Sequence, residues 1–478
     1  MKKTVRFSPF TRVEGDLHIS VEIAEGAVTE ARATGTLFRG FETLLRGQEP
    51  ADAIVITPRI CGQCGASHSA AAAMAIADAT GVQAPPNGIR CRNIIQAVEA
   101  ILNDLTHFYL SFATDLAHPR YGEEMVRRFT PVKGTSFRDG IRARKAFLAH
   151  LGLFAGKWPN TLAIQPGGVT KTITHGEIPR ARGTLREFRE FVEGRMIGGP
   201  LEVLLAVDSL AALDAWMGEA DHARSDVGRF IETALIHGLD RIGEGPRRFL
   251  SAGGYPQPDG TPLFEAGYND GERNPFDPEP IAEHARFAWL EAEPGGRHPF
   301  DGSTCPAPDK PEAYTWAKAP RYRGQSAEVG PMARAVVAGL PLAQDLLARC
   351  GATVFPRMLL RLREIVLLVR EVERWLDGLD PDEPFCVPTP PIEEGMGVGL
   401  VAAPRGMLGH WLRVEQGHIR NYQVVTPTGW NLSPRDSNGH PGPLEEALVG
   451  TPVDDPTDAM NVAHIVRSFD PCLFCTVH

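Results

Sequence analysis

Cations are in the minority in this chain: 49 Lys and Arg stand against 59 Asp and Glu, a formal charge of −10. No basic cluster offsets that balance, so the phosphate contacts that nucleic-acid binding needs are missing and nucleic acid is excluded as a partner. No uninterrupted apolar run reaches the roughly 18 residues of a membrane-crossing helix, so no direct membrane span is expected. The opening Met1-Lys2-Lys3-Thr4-Val5-Arg6 turns charged and polar too soon for a secretory leader. A soluble, cytoplasmic chain follows as the expectation, exported only on a partner's signal. Cysteine is also scarce, eight in 478 residues, which excludes a disulfide scaffold at this length.

What is present suffices for a large core, since 43% of residues are hydrophobic. Residues 17–34 read as a β-hairpin: Leu17, Ile19, Val21 and Ile23 alternate, Glu25-Gly26 turns, and Val28 begins the return. Helical spacing runs from Asn93 to Ala113 and from Phe355 to Leu379. Shorter helices are expected over Gly183 to Arg195, Pro200 to Trp216, Arg224 to Leu239 and Pro331 to Arg349. The Pro-, Gly- and Asp-rich stretch from Tyr255 to Pro311 reads as long surface excursions. A last hairpin runs from Trp411 to Val425 through Glu415-Gln416-Gly417. No internal repeat or domain boundary stands out, so residues 1–478 are expected to form one domain.

Four of the cysteines form two C-x-x-C pairs near opposite ends, while Cys91, Cys305, Cys350 and Cys386 stand singly and read as ordinary buried residues. The early pair lies in Arg59-Ile60-Cys61-Gly62-Gln63-Cys64-Gly65-Ala66-Ser67-His68. The late pair lies in Asp470-Pro471-Cys472-Leu473-Phe474-Cys475-Thr476-Val477-His478. Each segment joins two thiols to a nearby imidazole, a fitting half-site for a soft metal. A zinc ribbon would place its second pair ~15 to 20 residues after its first, whereas almost the whole chain separates these two. Four thiolates nevertheless suit zinc as well as iron or nickel, so spacing leaves a structural zinc, a redox metal and unrelated cysteines all open.

The motifs R-x-C-G-x-C-x-x-x-H and D-P-C-x-x-C-x-x-H resemble the paired signatures of nickel-iron hydrogenase large subunits. The resemblance extends, in the family's order, through Arg12-Val13-Glu14-Gly15, Phe38-Arg39-Gly40-Phe41-Glu42, Ala403-Pro404-Arg405-Gly406 and the segment from Tyr422 to Pro434. It implies a mainly α fold with small β elements (α+β), a helical bundle burying a metal site reached through apolar gas tunnels. It implies heterolytic cleavage of dihydrogen to protons and electrons at a nickel-iron centre whose iron carries carbon monoxide and cyanide. Cys61 and Cys472 would be terminal nickel ligands, and Cys64 and Cys475 would bridge to iron.

By the same resemblance Glu14 receives a proton from a cysteine such as Cys475, and Arg405 sits above the open metal position with Asp115 and Asp470 as paired carboxylates. Thr428 and the backbone around Pro404 would hydrogen-bond cyanide, and His68 a ligand sulfur. Glu42 and His478 would belong to a separate magnesium site. Without the resemblance each has a blander reading: an exposed carboxylate, a surface salt bridge, a turn residue or a satisfied core histidine. His107-Phe108-Tyr109 reads as helix core. The chain holds no ferredoxin-type C-x-x-C-x-x-C, so an iron-sulfur small subunit is required as heterodimer partner to carry electrons from a buried centre.

Two positions depart from the family pattern: Asp16 stands where most members have His, and Gln63 fills a slot beside the implied gas path where many have a small apolar residue. Asp16, together with a chain that stops at His478, resembles the hydrogen-sensing branch, whose heterodimers pair again and signal to a histidine kinase. An uptake hydrogenase feeding a respiratory carrier is the alternative, and a non-catalytic zinc scaffold a further one. The nickel-free relatives in the respiratory complex I lineage are disfavoured by the four intact cysteines.

Overall fold

The computed structural model describes residues 3–292, 294–453, 455 and 460–478. Three antiparallel strands open the chain, β1 Lys3–Phe7, β2 Leu17–Ala24 and β3 Ala27–Gly35. The expected hairpin is the β2–β3 pair, and Glu25 (φ 54°) with Gly26 (φ 77°) supplies the two left-handed residues its turn requires. Leu17, Ile19, Val21 and Ile23 face the core, as the alternation demands.

Two helices follow that matter for function. Helix α1, Gly65–Thr80, begins directly after Cys64 and is lined with alanines that are fully buried, among them Ala66 and Ala70 to Ala73. Helix α2, Pro86–Thr106, starts with a proline where no N–H is missed and continues through a π-helical turn, His107–Phe112. The stretch from Asn93 to Ala113 is therefore about the C-terminal three-quarters of a longer element. His107, Phe108 and Tyr109 are buried, as expected.

The stretch expected as surface excursions contributes real sheet. Strand β4, Phe249–Pro256, pairs with β5, Pro262–Asn269, and β5 with Arg273–Asn274; Ile281–His284 pairs with Ala319–Tyr322. Its two longer strands, eight residues each, are interrupted and bounded by Gly and Pro, which hides their alternation in the sequence. Two expected helices are each broken in two. Pro200 to Trp216 splits into Leu201–Leu205 and Leu210–Met217 because Ser209 caps a new start, accepting from Ala212 N–H at 3.2 Å. Pro331 to Arg349 splits into Pro331–Val337 and Pro341–Cys350 at Gly339 (φ 70°) and Pro341. Glu177–Phe191 with its π-helical extension, and Asp226–Ile236, cover the other two.

The long helix α3, Val354–Asp377, packs across α2 and buries Arg357, Arg361 and Glu364 with its apolar stripe. After it come three antiparallel strands, β6 Gly395–Ala403, β7 Gly406–Glu415 and β8 His418–Val425. The anticipated hairpin is β7–β8, while β6 was not read. Its Gly397 and Gly399 lie flat against α1: a Cβ at either would come within 2.0 and 1.9 Å of the Ala75 and Ala71 carbonyl oxygens. Backbone thus packs on backbone, which fixes the height of α1 and of Cys64 at its start. The fold is mainly α with small sheets, and among the described residues no helix is long and apolar enough to cross a membrane.

Candidate metal centre

Two chain segments far apart in sequence bring the paired thiols together. Cys61 leaves a 3-10 turn, Thr57–Ile60, and Cys64 occupies the cap position of α1. The opposite pair is held by the N-terminal segment. Glu14 forms a parallel bridge with Cys472, its N–H donating to Pro471 O at 3.3 Å and its carbonyl accepting from Leu473 N–H at 2.7 Å. Gly15 permits this approach, being left-handed (φ 84°) with Leu473 Cβ 3.0 Å from where its own Cβ would be. Thr428 Oγ1 accepts from Cys472 N–H at 3.1 Å.

All four thiols are buried and none is in a disulfide. Cys61 and Cys472 Sγ are 3.6 Å apart, Cys64 and Cys475 3.2 Å, and Cys472 and Cys475 3.1 Å. Such crowding makes the thiols share protons unequally. Hydrogen bonds led by that from Cys472 hold Cys61 well below the usual thiol range, whereas the bond with Cys472 pushes Cys64 up and burial pushes Cys475 up. A cation among them would displace those protons and take four soft donors. Of the single cysteines, Cys91 is buried as expected, but Cys305, Cys350 and Cys386 are only partly so.

Arg405 and Pro404 are the two turn residues joining β6 to β7, which pins the guanidinium to a rigid hairpin tip beside the thiols. Its Nε lies 3.2 Å from Asp470 Oδ2, and its Nη2 donates to Gln63 Oε1 at 2.9 Å. Its Nη1 is buried and has no partner among the described residues. Burial opposes its charge, yet Asp470 and the sulfurs outweigh burial and raise its pKa well above normal. Asp470 is itself buried, but Arg405, His107 and Arg361 hold it down to about 2. Asn103 Nδ2 donates to it at 3.0 Å, and Arg361, paired with Asp104 at 2.6 Å, stands behind it at 3.3 Å. Pro404 O accepts from Arg334 at 3.3 Å. The half-buried Glu14 accepts from Gln63 Nε2, and burial, only partly offset by Arg405, raises its pKa. A cavity of about 190 Å³ adjoins this group, walled by Glu14, Gln63, Arg405, Asp470, His107 and Ser111.

Two pairings implied by the sequence are corrected. Asp115 does not pair with Arg405; it is buried against Arg467, 2.5 Å away, and against Arg12. The π-helical turn ahead of Asp115 sets it near the Met460–Ser468 helix instead. His68 is not bonded to a thiol. Its Nδ1 is 3.0 Å from His410 Nε2, and His410 Nδ1 is 2.7 Å from the Tyr422 hydroxyl. Burial keeps both imidazoles neutral, His68 down to about 3. If Tyr422 donates along this chain, every buried proton has an acceptor up to His68 Nε2, which is left as an N–H donor. The reverse direction would strand the Tyr422 proton.

Glu42 and His478 meet at 3.3 Å, so the structure brings that pair together. Lys318 shares the site, 3.0 Å from Glu42 and 3.4 Å from Glu283, and Glu42 also accepts from Val424 N–H at 2.7 Å. Burial would raise Glu42, but Lys318 and His478 overcome it and hold its carboxyl well below the usual range. Sequence reading missed Lys318, Arg361 and the fully buried Glu99, and it placed Gln63 beside the gas path without its bonds to Glu14 and Arg405. Both oxygens of Glu99 receive the α1 N-terminus: Ala66 N–H at 2.8 Å, Ser67 N–H at 2.8 Å, Ser67 Oγ at 2.7 Å, and also Trp158 Nε1 at 2.9 Å. An acid interrupting the apolar stripe of α2 was the available signal.

The nickel-dependent hydrogenase family matches residues 39–119 and 137–478. The chain belongs to that family, and is accordingly a hydrogenase, an oxidoreductase. Its relatives include the periplasmic [NiFeSe] hydrogenase large subunit of Desulfomicrobium baculatum, 31% identical over all of this chain and 95% of the relative. The uptake hydrogenase large subunit of Rhodobacter capsulatus is 30% identical over 100% and 95%. Among solved structures, the reduced Ni-Fe-Se hydrogenase of D. vulgaris Hildenborough superposes with a TM-score of 0.87 at 32% identity, covering 100% of both chains.

Proposed function

We propose that residues 1–478 form one catalytic large-subunit domain that cleaves dihydrogen at a nickel-iron centre held by Cys61, Cys64, Cys472 and Cys475. The first cysteine of each pair would be terminal on nickel, and Cys64 and Cys475 would bridge to an iron carrying carbon monoxide and cyanide. The observation that carries this reading is the convergence of four buried sulfurs near enough to Arg405 to raise its pKa, together with an Nη1 of that arginine that is buried and, among the described residues, unpartnered. The donor set fits a soft metal, and the orphaned Nη1 fits an acceptor not supplied by protein. When bound, the centre supplies an open site on which dihydrogen is polarised and through which electrons leave.

The chain's own part is to position and to move protons. Glu14, with its carboxyl beside the cavity, takes the proton from the Cys475 side and passes it outward. Arg405 holds a fixed positive field over the pocket, anchored by Asp470. Thr428, whose hydroxyl proton is free to donate, and the backbone at Pro404 would serve the cyanide ligands. Glu42 and His478 would take magnesium, with Lys318 and Glu283 completing the charge balance.

An iron-sulfur small subunit is the proposed partner, since this chain has no cluster motif of its own and its relatives are named as large subunits. Its signal would set the compartment: cytoplasmic without one, as the sequence reads, or exported, as in the periplasmic relative. The uptake hydrogenase among the named relatives favours the uptake reading, in which electrons would pass to a respiratory carrier. The sensing alternative, with a histidine kinase as further partner, rests on Asp16, whose carboxylate is engaged by Thr36 at 2.5 Å and His18 at 3.5 Å.

Infrared spectroscopy of the purified heterodimer tests the centre. Carbon monoxide and cyanide stretches that shift under dihydrogen are expected; fully metallated protein lacking them would return the site to a zinc scaffold.

A further inference from the structure

We propose that Gln63 is a positioning residue that ties Glu14 and Arg405 into one unit and selects which atom of each faces the cysteine cluster. This rests on the roles given to Glu14 and Arg405 above. Gln63 lies between Cys61 and Cys64, its backbone N–H donating to Cys61 Sγ at 3.4 Å. Its side chain leaves the metal pocket and enters the gap between the carboxylate and the guanidinium.

The direction of the amide is fixed by chemistry. A guanidinium has no acceptor, so the group 2.9 Å from Arg405 Nη2 must be the amide oxygen, and the amide nitrogen therefore faces Glu14 Oε1. Two consequences follow. Glu14 Oε1 is committed as an acceptor, so a proton carried by this carboxyl sits on Oε2. Arg405 has Nε taken by Asp470 and Nη2 by Gln63, which leaves Nη1 as its one nitrogen unpartnered among the described residues. Gln63 also keeps the two charges apart, since among the described residues Arg405 forms an ion pair with Asp470 and none with Glu14.

Removing the amide would leave Glu14 Oε1 and Arg405 Nη2 both without partners beside a cavity of about 190 Å³, with room to move. A charge-assisted pair is roughly twice as strong as a neutral hydrogen bond, so the two would close on each other. Glu14 would then be held as a paired carboxylate, and Nη1 would turn from its present direction.

Gln63→Met separates this role from space filling, because methionine keeps the length and volume and loses both bonds. The test uses the metallated heterodimer and two infrared windows. One is the carboxyl stretch of Glu14, identified by its loss in Glu14→Gln; the other is the cyanide stretch. Gln63→Met is expected to retain nickel and iron, move the Glu14 band, shift the cyanide bands and slow dihydrogen–deuterium exchange roughly tenfold to a hundredfold, as for a misplaced catalytic group. Unchanged carboxyl and cyanide bands in Gln63→Met would overturn the proposal. Absence of diatomic bands in the unmodified, metallated protein would instead overturn the metal-centre reading, while the carboxyl band would still score the amide bridge.

Discussion

Asp470 meets Arg405 twice, through its carboxylate 3.2 Å from Nε and through its backbone oxygen 3.0 Å from the same nitrogen. It can do both because its backbone is left-handed (φ 52°), which turns carbonyl and side chain to one side two residues before Cys472. A lysine at 405 has neither the fork nor the reach to keep both contacts. Arg405→Lys is therefore expected to fold and to load nickel but to lose on the order of a hundredfold in dye-coupled dihydrogen oxidation. Activity within twofold of the parent would remove Arg405 from the mechanism.

Glu14→Gln keeps the shape and the backbone bridge to Cys472 and removes the ability to carry a proton. Dihydrogen–deuterium exchange is expected to fall by about 10²- to 10⁴-fold. Metal content and the number of diatomic infrared bands should be unchanged, and an exchange rate equal to the parent's would place the relay elsewhere.

Glu99 gives a pH dependence of stability. Burial raises its carboxyl to about 7 from an ordinary 4.5, while the Trp158, Ser67 and Ala66 donors resist. The folded state thus holds a proton that the unfolded state has released between those values. Its stabilisation is complete below pH 4.5 and is lost as pH rises through 7, an effect on the order of 3 kcal/mol. Chemical denaturation of the heterodimer from pH 4.5 to 8 should show that slope. Glu99→Gln should flatten it, and a variant that keeps the parent's slope would assign the proton to another group.

Tyr422→Phe removes the hydroxyl that faces His410 Nδ1 and leaves a fully buried ring nitrogen without a donor. A loss of about 1–3 kcal/mol is expected. Equal unfolding midpoints for the variant and the parent would mean that the Tyr422–His410–His68 chain carries no weight in stability.

The parts legible in sequence were those with a local period or a fixed spacing. Leu17 to Ile23 alternates and Glu25-Gly26 turns, so β2 and β3 could be read; the stripe of α3 and the two C-x-x-C pairs are equally local. Family resemblance then supplied Glu14, Arg405 and the Glu42–His478 pair. What stayed hidden depends on residues remote in the chain. Gly397 and Gly399 look like weak strand positions until α1 lies on them. Glu99 looks like an interruption of a helix until the α1 N-terminus points at it. Asp115 was assigned to the wrong arginine because a π-helical turn, which no period announces, redirects the chain just before it.

The two thiol pairs are separated by 411 residues, Cys61 to Cys472. At ordinary rates of protein synthesis the second pair leaves the ribosome about 20–80 s after the first. Nickel or iron delivered to the nascent chain would find half its sulfurs, together with Gln63 and His68, but neither Arg405 nor Glu14's bridge to Cys472. Closing the C-terminal segment over Gly15 is the step that completes the four-sulfur set, so a metal held by all four would enter before or during that closure.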